Sequence, residues 1–225
     1  MMRGLTRFFP MIALCATLLP VLARGDDMNQ QLLDIQHQWA RINYEIQARE
    51  KEEAFYKLEA RSDALVQQFP KRAEPKVWEA IVLSTHAGVH GGLGALSMVR
   101  KARDLLLEAE KIDPTTLHGS IYTSLGSLYY QVPGWPLGFG SNEKAEVCLK
   151  KALALNPDGI DSNYFYGDYL YRQGHLQDAL AALGKALHAP ARPDRALADK
   201  GRRRDIQALI AKIQAKQQAK NEDSY

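Results

Sequence analysis

Four segments of this chain carry apolar or small residues at the same spacing of three, one and three, and no other feature limits the fold as much. Trp39, Ile42, Asn43 and Ile46 form the first stripe, and Trp78, Ile81, Val82 and Thr85 the second. Tyr122, Leu125, Gly126 and Tyr129 form the third, and Asn163, Tyr166, Gly167 and Leu170 the fourth. That spacing lays one stripe along an α-helix. A second set follows downstream: Ala102, Leu106 and Ala109, then Ala145, Leu149 and Ala152, then Ala179, Leu183 and Ala186. Pro70, Pro114 and Pro157 stand 44 and 43 residues apart, each just past one of these helices, and Pro190 closes the last. Proline cannot continue a helix and fixes the turn into the next one. A hairpin of this kind cannot bury its apolar face alone, so it must stack on copies of itself.

The repeated pattern resembles the tetratricopeptide (TPR) family. TPR units carry a large residue, Leu-Gly and Tyr on the first helix, then Ala, Phe, Ala and a closing Pro. The resemblance covers residues 36–191, with the unit beginning at Asn163 nearest to the family spacing. It implies an all-α, TPR-like α-solenoid of about four helical hairpins with a C-terminal capping helix. The expected organisation is a signal peptide over residues 1–25 and an N-terminal TPR-like hairpin over 26–70. Three TPR units over 71–191 follow, two with extended intra-repeat loops, and then a basic capping helix and tail over 192–225.

The signal peptide is read from Arg3 and Arg7, the apolar run over residues 8–22, and the small residues Ala23 and Gly25. Its removal would leave Cys148 as the single cysteine, unable to form an internal disulfide. An exported chain held together by helix stacking alone suits a bacterial periplasm. The whole chain carries 29 Lys+Arg against 26 Asp+Glu. That balance, in an exported protein, argues against a nucleic-acid partner. The basic excess sits after Pro190, at Arg202, Arg203 and Arg204 and along Lys212, Lys216 and Lys220, beside the stripe Ile206, Leu209, Ile210 and Ile213. Either this helix covers the end of the solenoid with its charges in water, or it also touches anionic lipid headgroups.

Taking the phase from Gly126 and Gly167, the positions facing a concave groove are Thr123, Ser127, Tyr130, Gln131, Tyr164, Asp168, Tyr171 and Arg172, with Glu79, Leu83 and His86 from unit two. Seven of the ten tyrosines lie between Tyr122 and Tyr171. Tyrosine offers large contact area and a hydroxyl at low entropic cost, which suits capture of a protein partner. The extra residues of units two and three, 88–94 and 133–140, fall at equivalent places and should lie side by side. His90, Trp135, Leu137 and Phe139 on these segments either cover the helical stack or line a pocket for a small apolar ligand. The segment from Tyr129 through Pro157 is also similar to the periplasmic TPR proteins associated with TRAP transporters, the T component. That similarity implies a small-molecule-binding accessory role in a transport system.

Chemistry is sparse. His86 and His90 have the i, i+4 spacing of a helical zinc site, but Ala87 stands where the general base of an HExxH enzyme would be, and no third ligand is evident in the sequence. No metal or cofactor is therefore expected. Gly92-Leu93-Gly94 lacks the third glycine and the preceding strand of a dinucleotide fingerprint. With no Walker loop, CxxC pair or nucleophile-elbow serine, the reading is a binding protein and not an enzyme.

Overall fold

The computed structural model describes residues 19–222, and the side chains of residues 27–219. The apolar run of the expected signal peptide lies mostly outside the described residues. Among those described, the chain is all-α. It forms four antiparallel hairpins: α1 (Leu19–Tyr44) with α2 (Ala48–Gln68), α3 (Ala73–His90) with α4 (Gly92–Ile112), α5 (Thr116–Gln131) with α6 (Asn142–Leu155), and α7 (Ile160–Arg172) with α8 (Leu176–Leu187). A short 3-10 turn, Pro193–Arg195, leads into a long final helix, α9 (Ala196–Glu222). The prolines expected to close the hairpins do so: Pro70, Pro114 and Pro157 each stand just past the end of α2, α4 and α6.

Small residues set the closeness of the last two hairpins. A Cβ at Gly126 would come within 2.6 Å of Leu149 Cγ, and one at Gly167 within 2.8 Å of Leu183 Cγ. Leu149 and Leu183 are fully buried against these glycines, flanked by the buried alanines Ala145, Ala152, Ala179 and Ala186. The sequence stripes therefore do face their own partner helices in units three and four.

Unit two differs. Ala73, Val77, Ala80, Leu83 and Ala87 pack on Val99, Ala102, Leu106 and Ala109 of α4. Trp78 and Val82 turn instead into the core of the first hairpin, with Trp39, Phe55 and Leu58. The phase assigned from Trp78 and Val82 is thus displaced, because α3 is buried on nearly every side and carries apolar residues on two faces. The extra residues of this unit do not form a loop either. They lengthen α3 and α4 to 18 and 21 residues, against 13 and 12 in the last hairpin. Only Gly91 separates the two helices, and it and Gly92, the first residue of α4, have φ of 67° and 61°. That left-handed backbone is one an L side chain adopts at a cost.

The final helix does more than cap. Its apolar residues Ile206 and Ile213 bury against α7 and α8, as a cap would. Its first turns, however, reach the opposite end of the solenoid. Ala198 packs in the core of the first hairpin. The Tyr44 hydroxyl donates to Asp205 Oδ2 at 2.9 Å, and the Tyr44 ring lies against Gly201, where a Cβ would collide with it. His37 Nε2 donates to the Asp194 carbonyl at 2.7 Å. The chain thus returns from the fourth hairpin to the first and closes the concave side.

Two glycines in equivalent chemistry separate packing from propensity. Gly126→Ala should destabilise the protein by about 1–3 kcal/mol through overpacking against Leu149. Gly184→Ala, on α8 with nothing within 4 Å of the added Cβ, should stabilise by roughly 1 kcal/mol. Urea unfolding of the two variants measures both signs.

Candidate functional site

The hollow of the solenoid is lined by short polar side chains. Ser120, Thr123, Ser124 and Ser127 lie along α5, opposite Ser84 and Thr85 of α3 and Phe165 of α7. Trp39 and Trp78 form one wall, their rings edge to face at 6.1 Å, and Trp39 Nε1 donates to Thr85 Oγ1 at 3.0 Å. The returning chain fills the rest. Arg195 lays its guanidinium over the Trp78 ring at 4.8 Å and donates to Gln36 Oε1 at 3.2 Å. Burial pulls its pKa down to about 10 against the pull of Asp161.

Asp161, in the first turn of α7, anchors this closure. Arg192 Nη1 and Arg202 Nε each donate to it at 2.9 Å. Arg192 also donates to buried Asp199, both from its backbone N–H at 2.9 Å and from Nε at 2.8 Å. Arg202 further lies over the Tyr164 and Phe165 rings, at 4.4 and 5.0 Å. Burial works to raise the Asp161 pKa, but Arg202 and Arg192 overcome it and hold the carboxyl below the usual carboxylate range.

Thr123 and Ser127 aside, the residues expected to face an open groove divide into three groups. Tyr164 lies under Arg202, and Tyr171 lies under Lys212 and Lys216, whose ammonium groups are 5.4 and 5.5 Å from its ring centre. Both are therefore covered by α9, on a face that is not open. Glu79, Leu83 and His86 turn away from the hollow altogether, because of the displaced phase of α3. Glu79 is buried and pairs with Lys101 Nζ at 2.6 Å; Lys101 also pairs with Asp63. Burial raises the Glu79 pKa in spite of Lys101. His86 is buried against Phe55 of α2, with Nδ1 2.8 Å from Glu59 Oε1.

Tyr130, Gln131, Asp168 and Arg172 form the third group and come together. The Tyr130 hydroxyl donates to Asp168 Oδ2 at 2.7 Å and accepts from Gln131 Nε2 at 3.2 Å. Arg172 Nε donates to Asp168 at 3.1 Å while its guanidinium lies over the Tyr130 ring at 5.2 Å. Burial, then the Asp168 charge, push the Tyr130 pKa well above its ordinary value. Gln131 and Arg172 remain exposed.

The segment between α5 and α6 is a fixed loop. Gly140 N–H donates to Pro133 O, Gly138 N–H to Gly134 O, and Ser141 N–H to Tyr129 O. A Cβ at Gly138 or Gly140 would collide with the Pro133 or Val132 carbonyl oxygen. Its three apolar side chains take different places. Phe139 folds back onto the Tyr129 ring, with the Arg103 guanidinium 4.6 Å from its centre. Leu137 stands 66% exposed and Trp135 90%. Leu137 edges an apolar cleft, open to solvent, that runs between α3, α4 and the end of α5. Ala87, Leu96, Val99, Leu128 and Val132 form its walls, and Leu93, 86% exposed at the start of α4, forms the opposite lip. Gln131 lines the same cleft. His90 points elsewhere, its Nδ1 2.6 Å from Glu52 Oε1 on α2.

Thr123 and Ser127, two of the expected groove positions, do line the hollow, while sequence reasoning missed Ser120, Ser124 and the closure. The stripe Ser120, Ser124 and Ser127 on α5 has the spacing of one helical face and is the signal that was available. No comparable signal marks Asp161, Arg192 and Arg202, which meet only because the chain turns back on itself. Burial, then the Glu110 charge, push the Cys148 thiol up to about 11, which keeps it protonated near neutral pH.

No protein-family model matches the chain, and no curated protein matches it. Among solved structures, it is similar to a thermophilic TPR protein of Thermus thermophilus, at 17% identity and a TM-score of 0.45 over 83% of this chain and 98% of that one. It is also similar to PilF of Pseudomonas aeruginosa, at 16% identity and a TM-score of 0.35 over 84% and 90%.

A depressed carboxyl pKa stabilises the fold at every pH above its unfolded value of about 3.9, and the contribution is lost as pH falls toward the folded value. Asp161→Asn should therefore cost roughly 2–3 kcal/mol near neutral pH, below the fully buried case because the site is partly solvated. The difference in melting temperature from wild type should hold steady down to about pH 5 and shrink below about pH 4. Thermal melts across that range check the sign.

Proposed function

We propose that this chain is an exported, periplasmic scaffold that binds a protein partner, and that the partner docks on the loop edge of the solenoid. The hollow is a poor candidate for a peptide, since Arg192, Arg195, Arg202 and α9 already occupy it. The single observation that carries the reading is Trp135, exposed to solvent on a hydrogen-bonded loop beside an apolar cleft. An exposed tryptophan on a hydrogen-bonded loop, with Leu137 of the same loop and Leu93 on the two lips of the cleft, is the composition of an interface centre. Gln131 and Arg100, which donates to the Leu137 carbonyl at 3.2 Å, supply a polar and basic rim. The matching partner surface is an apolar side chain or helix face with acidic residues beside it.

A second reading has its own support. The cleft walls are almost wholly apolar, which suits a small apolar ligand of the kind a transport accessory protein would hold. Basic residues that stay exposed on α9, Arg204, Lys212 and Lys216, keep a membrane-surface contact available; no helix among the described residues is long and apolar enough to cross a membrane.

Capture from the cell envelope, followed by mass spectrometry, separates these readings. Trp135→Ala with Leu137→Ala should lower partner retention at least about 30-fold, the cost of losing an interface centre, with the melting temperature unchanged. Retention equal to wild type would refute the loop-edge surface. A small-ligand mass in the native spectrum that disappears in Leu96→Trp, with no partner captured, would favour the second reading.

A further inference from the structure

His86 and His90 share one face of α3, and α2 runs antiparallel beside it with Glu52 and Glu59 two turns apart. Glu59 Oε1 accepts from His86 Nδ1 at 2.8 Å, and Glu52 Oε1 lies 2.6 Å from His90 Nδ1. His86 is only 2% exposed, and its Nε2 is buried with no hydrogen-bond partner. A buried ring nitrogen without a partner is costly. Because a carboxylate only accepts, Glu59 fixes the proton on Nδ1 and leaves the lone pair on Nε2, the tautomer that a metal-binding imidazole needs. One donor atom from each of Glu52, His86 and His90 lies within 4.8 Å of the other two.

We propose that Glu52, His86 and His90 form a site for a divalent transition metal of the zinc class, with Glu59 as the outer carboxylate that orients His86. Two imidazoles and a carboxylate suit zinc, cobalt, nickel or copper and not the hard cations that take oxygen alone. Tetrahedral bonds of about 2.0–2.1 Å place ligand atoms about 3.3 Å apart. Reaching that spacing requires small movements of Glu52 and His90, which are both solvent-exposed, while His86 stays fixed in the core. The His90–Glu52 hydrogen bond opens to admit the ion. Three protein ligands leave the fourth position to water on the solvent side.

The test uses the full chain, stripped of metal with a chelator. Competition with a chromogenic chelator should show one zinc per chain, and cobalt should give the intense visible bands of a four-coordinate site. His90→Ala and Glu52→Ala alter exposed side chains and should each weaken zinc at least about 10-fold and abolish the cobalt bands, with unchanged helical signal. Glu59→Gln should weaken zinc by about 10- to 100-fold, as loss of an outer carboxylate does. Failure to bind one zinc per chain, or binding by His90→Ala equal to wild type, would overturn the assignment; the latter would place the metal elsewhere on the chain.

Discussion

The shape of this molecule depends on Asp161 holding two arginines at once. A stack of helical hairpins is open at its ends, and nothing in a hairpin repeat tells the chain to close. Here Arg192 and Arg202 flank the 3-10 turn, so a single carboxylate in the first turn of α7 fixes the chain on both sides of it. With those two points set, Ala198 reaches the first hairpin and Tyr44 meets Asp205 and Gly201. Desolvating such charges is expensive, and apolar residues of the same volume would often stabilise as much. What guanidinium groups add is direction: fixed planar donors allow one approach angle, and this fixes where α9 crosses the hollow.

How much of this was legible follows from the range of each interaction. Hairpins three and four could be read because their determinants are local and repeated: Gly126 with Leu149, and Gly167 with Leu183, are pairs within one unit. Unit two misled because α3 carries two apolar faces. Trp78 and Val82 look like the repeat stripe, yet they serve the neighbouring hairpin, while Val77, Ala80 and Ala87 face α4. An error of phase on one helix moved Glu79 and His86 from the core to an imagined groove. The closure was harder still, since Asp161 and Arg202 are 41 residues apart and Tyr44 and Asp205 are 161 apart. No local pattern records such a meeting. Basic residues near a C-terminus read as solvated whether or not a carboxylate awaits them.

Closure also changes which surface is free to recognise anything. Tyr164 and Tyr171 have the chemistry of anchors, but their rings are covered by Arg202, Lys212 and Lys216 of the same chain. A partner in that position would have to displace α9, with its apolar contacts and its ion pairs together. Among the described residues, the loop edge carries no such competitor. Its apolar side chains are presented by a loop whose glycines are sterically required and whose backbone is tied to α5, so little order remains to be imposed on binding.

One short stretch connects the loop edge to the histidine cluster. His90 ends α3, Gly91 and Gly92 turn the chain, and Leu93 begins the lip of the cleft. The His90 imidazole also presses on Gly94, where a Cβ would collide with it. The ring therefore packs on the first turn of α4 while its other edge is held from α2 by Glu52. An ion between Glu52, His86 and His90 would fix that ring more firmly than one exposed hydrogen bond does. Leu93 follows His90 after only two residues, both glycines at positive φ. Such an ion could alter recognition at the cleft only to the extent that it favours one setting of this turn over another. The two glycines are what make more than one setting available.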